Sequence, residues 1–368
     1  MANPTPDQLR QAHKQMQEAL RNSSLRRDLQ GRRSADSKQR GQADKEYNYD
    51  EFGRKIPKPT FLRPEHIAKG EDYDVERVLY TTLGQQKGEP PRKITREDIM
   101  AFKDNIDLLR EQYSKGITIQ NIINLSHADD IDRANEQIHL VVPLSRKDSL
   151  VHLMTNAGPH SKVTNHHIEI EFSSFSALIS STGQNAVNQV KRWLAGGKIK
   201  FECDCERHTF WYRYMATIGG YGLGRKENGY PKLRNPLLSG VACKHVLRAV
   251  YWIQSPSGIE YLKKEVKKDR TRQLSVRKKQ TDRQILAELD QQISAANKET
   301  DGKIQPNIRK AEQEMIRRAA KVAKKHFAKQ QKMEKQAQDA LDRNKYAEWR
   351  NSGIVTDEVF QELMRRFK

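Results

Sequence analysis

The sequence lacks the features that mark secreted and membrane proteins. It has only 3 cysteines in 368 residues, and an odd number argues against a complete disulfide framework. No segment approaches the roughly 18 to 20 consecutive apolar residues that a membrane helix needs. The first six residues, MANPTP, also lack the apolar run of a signal peptide. We therefore expect a protein that is not secreted, does not contact the membrane and stays in the cytoplasm of the cell that makes it.

Apolar and acidic residues are scarce as well. Hydrophobic types make up 36% of the chain, which is too few to fill one globule of this length. Lys and Arg number 67 against 47 Asp and Glu, so the net charge is +20 and the pI is near 9.7. A surface of that charge favours polyanions, nucleic acid first among them, or acidic protein partners.

Changes in composition divide the chain into four segments. Residues 1–60 mix Gln, Arg, Ser, Asp and Lys, which predicts a mobile basic arm. Residues 72–136 show helical periodicity, and residues 137–255 alternate short strands with helices. Residues 256–368 are rich in good helix formers and predict a long basic helical extension. The fold class that follows is α+β, a small zinc-stapled β-sheet with helices, for which the ligands are described below.

Capping residues and hydrophobic periodicity predict individual elements. Thr95 lies three residues before Asp98, a spacing typical of the first turn of a helix. The long C-terminal helix carries only a thin apolar stripe, which indicates packing against a partner or against a copy of itself, and so a possible homo-oligomer. The predicted helices span about 96–114, 117–125, 130–137, 185–194, 281–296 and 307–350, with a last amphipathic helix after Gly353. The predicted strands span 139–142, 150–154, 163–172, 198–201 and 210–214.

The three cysteines form two pairs with one histidine. Cys203 and Cys205 are one residue apart, and Cys243 and His245 repeat that step. Three thiolates and one imidazole are a usual tetrahedral ligand set of structural Zn²⁺. Because four protein ligands leave no position for water, we expect one structural zinc ion and no hydrolytic metal centre. The alternative is three buried free cysteines and a helix-start histidine. His208 is a substitute candidate for the ligand set, but its place three residues after Cys205 favours an exposed position or a supporting role next to the ligands.

The pattern C-x-C, a long insert and C-x-H, followed by an apolar helix from Val246, resembles the SWIM zinc finger. The resemblance covers about Phe201 to Ile253, and its insert of 37 residues is longer than in many members of the family. It implies a module that binds DNA or proteins.

A looser resemblance, over roughly 110–250, is to SWIM-type proteins of tailed bacteriophages. It rests on the alternating strands, Gly116-Ile117-Thr118, Asp132-Arg133-Ala134-Asn135 and Asn235-Pro236 ahead of Gly240. It implies a non-enzymatic virion component that contacts DNA, other virion subunits or both, found in the host cytoplasm and the virion. The alternative left open is a zinc-dependent nucleic-acid-binding regulator, or an accessory protein of replication or recombination.

Two basic stretches are candidates for contact with nucleic acid or another polyanion. One follows the glycine-rich loop that begins at Gly219, and the other lies where only Glu265 and Asp269 oppose a run of lysines and arginines. An inert loop and a solvated helix face are the respective alternatives. The candidate residues are Arg225, Lys226, Lys263, Lys264, Lys267, Lys268, Arg270, Arg272, Arg277, Lys278 and Lys279.

Three groups of residues suggest enzymatic chemistry, but each has a simpler explanation. His167, Glu169 and Glu171 share one face of a predicted strand, where we expect solvent. The acids of 129–132 resemble a Mg²⁺ cluster of a nuclease but have the position of helix-start residues. The loop 219–226 lacks the G-x-x-x-x-G-K-[ST] arrangement of a nucleotide-binding loop. The sequence therefore predicts no enzymatic activity.

Overall fold

The computed structural model of the protein describes most of the chain beyond residue 80. The described residues form two compact units, which adjoin in sequence between Asn307 and Ile308. Among them, no helix combines the length and the apolar character that crossing a membrane requires. The described ranges are 6–21, 31–32, 34, 38, 47–49, 55–57, 80–86, 88–113, 116–173, 175–180, 186–272, 278–296 and 302–367.

Helices and antiparallel strands alternate along the described residues, as an α+β fold requires. The helices are α1 (Pro6–Arg21), α2 (Arg96–Gln112), α3 (Ile119–Leu125), α4 (Ala128–Gln137), α5 (Phe175–Ser180), α6 (Ala186–Gly196), α7 (Arg213–Ile218), α8 (Lys244–Gln254), α9 (Pro256–Arg272), α10 (Asp282–Ala296), α11 (Ile308–Asn351) and α12 (Asp357–Arg365), with a π-helix at His208–Tyr212. The strands are β1 (Tyr47–Tyr49), β2 (Lys55–Pro57), β3 (Tyr80–Thr81), β4 (Arg92–Lys93), β5 (Ile117–Thr118), β6 (Val141–Lys147), β7 (Leu150–Asn156), β8 (Asn165–Phe172), β9 (Lys198–Cys203) and β10 (Lys278–Lys279).

A six-stranded antiparallel sheet is the centre of the first unit. Its strand order is β10-β6-β7-β8-β9-β5, and two small sheets pair β1 with β2 and β3 with β4. Asp148, which adopts a positive φ of 49°, turns the chain between β6 and β7. In the pairing of β8 with β9, Ile168 lies opposite Cys203. This register brings the first pair of predicted ligands to the end of a strand inside the sheet.

The predicted start of α2 is confirmed. The hydroxyl of Thr95 accepts the backbone N–H of Asp98 at 3.4 Å, and the Asp98 carboxylate accepts the backbone N–H of Thr95 at 2.8 Å. This reciprocal pair satisfies two of the free N–H groups at the helix start. Ile99 and Phe102 then face the main core, which is the larger cluster of buried apolar residues in the first unit. Period-two alternation likewise identified β6, β7 and β8, although the observed strands start two residues later than predicted for β6 and β8.

The N-terminal segment does not behave throughout as the mobile arm expected over residues 1–60. Pro6–Arg21 forms α1, which packs against α10 and one face of the sheet. Its apolar residues recur at helical spacing, so a narrow stripe buries enough surface to hold the helix on the sheet. The buried residues of that stripe are Leu9, Ala12, Met16 and Leu20.

Replacing Met16 by alanine tests this contact of α1. Met16 is 0% exposed, and we expect its truncation to lower the free energy of unfolding by about 2–5 kcal/mol through lost burial and a cavity. Lys14→Ala, at an exposed position of the same helix, is the matched control and should change stability by less than about 0.5 kcal/mol. Urea unfolding followed by circular dichroism measures both. Equal effects of the two substitutions would contradict the packing of α1.

The C-terminal extension begins later than the predicted boundary at residue 256. Helices α9 and α10 belong to the first unit. Leu262 and Val266 of α9 lie in its main core. Ile285 and Leu289 of α10 pack with α1 in a second, smaller cluster of buried residues. The strand β10 also pairs with β6. The basic composition of this region identified helices correctly but did not show which of them pack on the sheet.

The second unit is a helical hairpin of α11 and α12. Gly353, with a φ of 74°, lies just beyond the end of α11, as the sequence predicted. Arg350 then forms an ion pair with Asp357 at 2.6 Å. The guanidinium of Arg343 donates to the backbone carbonyl of Phe367 at 3.0 Å. None of the described residues of this unit is buried.

Candidate metal centre

The first ligand pair lies where β9 ends and the chain turns into a helix. Cys203 is the last residue of β9, and the backbone N–H of Asp204 donates to the carbonyl of His167 on β8 at 3.2 Å. The backbone N–H of His208 donates to the Cys205 sulfur at 3.3 Å. Sheet hydrogen bonding and the first helical turn together fix the positions of both thiols.

The second ligand pair lies at the start of α8, as the sequence predicted. Cys243 precedes the first residue of the helix, with extended φ and ψ of −77° and 164°, and His245 is the second residue of the helix. Helix α8 is fixed because Val246 and Val250 are fully buried in the main core. The partial positive charge at a helix N-terminus favours a thiolate at Cys243.

The structure brings all four predicted ligands together. One ligand atom from each of Cys203, Cys205, Cys243 and His245 lies within 4.8 Å of the others, and all four residues are buried. Neither ring nitrogen of His245 has a hydrogen-bond partner among the described residues, although the side chain is only 3% exposed. A buried imidazole without partners is unfavourable, and a cation among the three sulfurs would give it one. These donors therefore fit one bound metal ion.

Burial also sets the protonation of the ligands. It lowers the pKa of His245 to about 4, so the imidazole is neutral at neutral pH, as metal binding requires. Burial raises the pKa of the Cys203 and Cys205 thiols above the ordinary value. Burial acts in the same direction on Cys243, but hydrogen bonds from the Cys203 and Cys205 thiols outweigh it and lower the pKa of Cys243. A cation at this position would favour the thiolate form of all three.

A carboxylate between the two cysteines connects the centre to β8 and to the N-terminal region. One oxygen of Asp204 accepts the ring N–H of His166 at 2.9 Å and the backbone N–H of His167 at 3.0 Å. The other oxygen pairs with Arg32 at 2.7 Å. Burial opposes ionisation of Asp204, but these contacts outweigh it and lower its pKa to about 2. The His166 ring in turn packs on the ring of His245, with centroids 4.2 Å apart.

A second buried carboxylate fixes the chain after Cys205. Asp130, on α4, is fully buried and pairs with Arg133 at 2.6 Å and with Arg207 at 2.8 Å. It also accepts the hydroxyl hydrogen of Tyr212. Since Arg207 follows Cys205 by two residues, this network attaches the first ligand pair to α4. Its two cationic partners also explain Asp130 without the Mg²⁺ cluster considered for the acids of 129–132.

The strand predicted over 210–214 is wrong. The residues His208–Tyr212 form a π-helix that continues into α7. Tertiary packing overrides the strand preference of the aromatic residues, because the helical path buries Tyr212 and Tyr214 in the main core. π-Helices of this kind are frequent at functional sites. The sequence offers no signal for this one beyond its position next to the ligands.

His208 is outside the ligand group but is not exposed. Its side chain is 0% exposed, and its ring nitrogen lies 3.3 Å from the carboxylate of Glu202. Arg213 pairs with the other oxygen of Glu202 at 2.7 Å. The expectation of a role next to the ligands fits this position, because the backbone N–H of His208 contacts Cys205.

The strand face with His167, Glu169 and Glu171 is less exposed to solvent than expected. His167 is buried, and its ring shares a hydrogen bond with the ring of His152, with 2.9 Å between the two nitrogens. Glu171 is half-buried beside Lys200, at 3.6 Å. The exposure of this face is reduced because α1 and α10 pack on part of it around Met154.

The candidate polyanion contacts have unequal surroundings. Lys263 pairs with Glu260 at 3.2 Å, and Lys268 pairs with Glu265 at 2.7 Å. Glu265 and Asp269, which seemed to oppose the basic run, also neutralise the buried Arg146. The exposed candidates are Lys226, Lys264, Lys267, Lys268 and Lys279, while Arg225 and Lys263 are half-buried. Arg277 and the side chains of Arg270, Arg272 and Lys278 lie outside the described residues.

The glycine-rich loop packs against β9. Gly222 forms a bridge with Phe201, and a side chain on Gly222 would come within 3.1 Å of the Ala216 backbone. Tyr221 is buried and its ring contacts that of Tyr113 edge to face, with centroids 5.1 Å apart. Close packing therefore accounts for this part of the loop without a bound phosphate.

No family model, curated protein or solved structure matches the chain. The fold and the site define an α+β protein with a buried Cys3His group that can hold one metal ion. The SWIM and phage resemblances remain predictions from the sequence pattern.

Proposed function

We propose that the protein is a non-enzymatic binding protein in which one structural zinc ion supports the core and basic segments bind nucleic acid. The observation that carries the metal part is the convergence of four buried soft donors within 4.8 Å. Three thiolates and an imidazole suit zinc, and a complete set of protein ligands suits a structural role. Such an ion would join the end of β9 to the start of α8 across an insert of 37 residues.

The distribution of charge supports nucleic acid as the partner. Residues 317–335 of α11 contain eight Lys and Arg and a single acid, Glu334. Lys324, Lys332 and Lys335 are exposed there, in a segment about 28 Å long at 1.5 Å per residue. This segment, called the basic half of α11, has eight basic residues to one acid in the sequence. In the α9 strip, the basic run from Lys263 on α9 to Lys279 on β10, acids pair with two of the lysines. We therefore infer that the basic half of α11 is the main contact with the phosphate backbone.

Two biological settings agree with this function. The resemblance to tailed-phage proteins supports a virion component that contacts DNA and neighbouring subunits. The SWIM pattern alone supports a regulator or an accessory protein of replication or recombination. Neighbouring capsid, portal or tail genes would favour the first setting, and neighbouring replication genes would favour the second.

Nucleic-acid binding by the basic half of α11 predicts a specific change in salt dependence. Affinity for a duplex of about 30 base pairs should fall steeply between about 50 and 200 mM salt, and K324E/K332E/K335E should reduce the log–log slope by about 3. Fluorescence anisotropy of labelled DNA measures both. The variant K264E/K267E/K279E, with Lys264 and Lys267 on α9 and Lys279 on β10, should reduce the slope less.

The control for total charge is K93E/K103E/K162E. These lysines are exposed on the first unit, and their substitution changes the net charge by the same amount. The control should leave the slope close to the wild-type value. A wild-type affinity that hardly changes with salt would contradict the proposal. An equal reduction of the log–log slope in the control and in the α11 variant would contradict it as well.

A further inference from the structure

The described residues of the helical hairpin in the second unit form little core. None of them is fully buried, and the central aromatic side chains, Tyr346, Trp349, Phe360 and Phe367, are half-buried. Tyr346 contacts Trp349 and Phe367, with ring centroids 5.6 and 6.0 Å apart. Helices in water depend on burial of an apolar face more than on intrinsic propensity. A hairpin with so little buried surface needs further packing to be stable.

Apolar residues of the hairpin are available for that packing. Leu341 is 63% exposed, Ile354 is 68% exposed and Val359 is 47% exposed. Helix α12 is strongly amphipathic, since Val359, Phe360 and Leu363 recur at helical spacing between charged residues. We call residues 336–367 the hairpin segment.

The charges of the two halves of this unit identify the partner. Residues 308–335 contain ten basic and three acidic residues, so two copies of that half repel each other. The hairpin segment contains five basic and six acidic residues, so its net charge is close to zero. A different protein that is recognised through its charge requires a surface of the opposite sign, but the hairpin segment carries charges of both signs. Such a mixed surface can complement a second copy of itself about a two-fold axis.

We propose that the hairpin segment is a homodimerisation element. Two hairpins pack through their apolar residues into a four-helix arrangement, as short helical hairpins commonly do. The dimer covers Leu341, Ile354 and Val359 of both copies. The basic halves of the two α11 helices remain outside the interface because their like charges keep them apart. Dimerisation does not depend on the proposed function, but it doubles the basic surface that nucleic acid meets.

Sedimentation velocity of the full chain tests this proposal. The sedimentation of the wild-type protein should correspond to about twice the chain mass of 42.6 kDa, and a monomer should appear only on dilution. L341D/V359D should raise the dissociation constant at least roughly a hundredfold, because four carboxylates enter an apolar interface. I354D, between the two helices, should act in the same direction. M100D is the matched control, since Met100 is 52% exposed on α2 of the first unit, and it should sediment as the wild type does.

Each outcome separates dimerisation from nucleic-acid binding. A wild-type chain that is monomeric at every concentration overturns the dimer, whatever the variants do. Equal behaviour of L341D/V359D and M100D also overturns it, provided that the thermal melt of the first unit is unchanged in both. A stable dimer whose DNA affinity does not change with salt concentration overturns the proposed function alone. A monomer with steeply salt-dependent DNA affinity overturns this inference alone.

Discussion

Replacing His245 by alanine is expected to release the metal ion and to unfold the centre of the first unit. The substitution leaves three buried sulfurs without the fourth donor and opens the site to water. Structural zinc contributes about 10–16 kcal/mol of apparent binding free energy in small zinc domains, and whole domains are stable by only about 5–15 kcal/mol. We therefore expect a loss of several kcal/mol. Metal content by mass spectrometry and thermal melting measure the two consequences.

His208→Ala is the matched control for that substitution. Both histidines are buried, but His208 contacts Glu202 and lies outside the ligand group. The control should lose stability through its cavity and still retain one metal ion per chain. A strong chelator should lower the melting temperature of the control and leave that of His245→Ala unchanged. Full metal content in His245→Ala would contradict the assignment of this ligand.

Replacing Asp130 by alanine is expected to destabilise the first unit by about 1–3 kcal/mol, because it leaves the buried hydroxyl of Tyr212 and two half-buried guanidinium groups without their acceptor. Arg207 and Arg133 both pair with this carboxylate, and Tyr212 donates to it. The loss should loosen the turn after Cys205 without removing a metal ligand. Urea unfolding measures the change in free energy, and the metal content of the folded fraction should remain one ion per chain.

Asp129→Ala provides the comparison for the buried carboxylate. Asp129 is exposed in the first turn of the same helix, so its removal should cost less than about 1 kcal/mol, mainly through the helix dipole. Equal losses for Asp129→Ala and Asp130→Ala would contradict the role assigned to the buried network.

The Cys3His group could be predicted from the sequence because the information is local. The steps Cys203-x-Cys205 and Cys243-x-His245 are each visible in three residues, and residue chemistry limits what such a set can bind. The start of α2 was predictable for the same reason, since Thr95 and Asp98 form a local capping pair. Strand β8 followed from the alternation of apolar and polar residues over 163–172, and β6 and β7 from short apolar runs.

The surroundings of the ligands could not be predicted, because they depend on contacts between distant parts of the chain. Asp204 meets His166 only through the register of β8 with β9. Arg146 meets Glu265 across 119 residues of sequence, so the sequence does not show that the acids of α9 neutralise a buried arginine. The aromatic run around Tyr212 favours a strand by propensity, and only burial in the main core makes it helical.

The most direct test of the central claim is X-ray absorption at the zinc edge of the purified full-length protein. Three sulfur neighbours at about 2.3 Å and one nitrogen neighbour at about 2.0–2.1 Å are the expected shell, with one zinc ion per chain. A shell dominated by oxygen, fewer than three sulfurs or a chain that is stably folded without any metal would contradict the structural zinc centre.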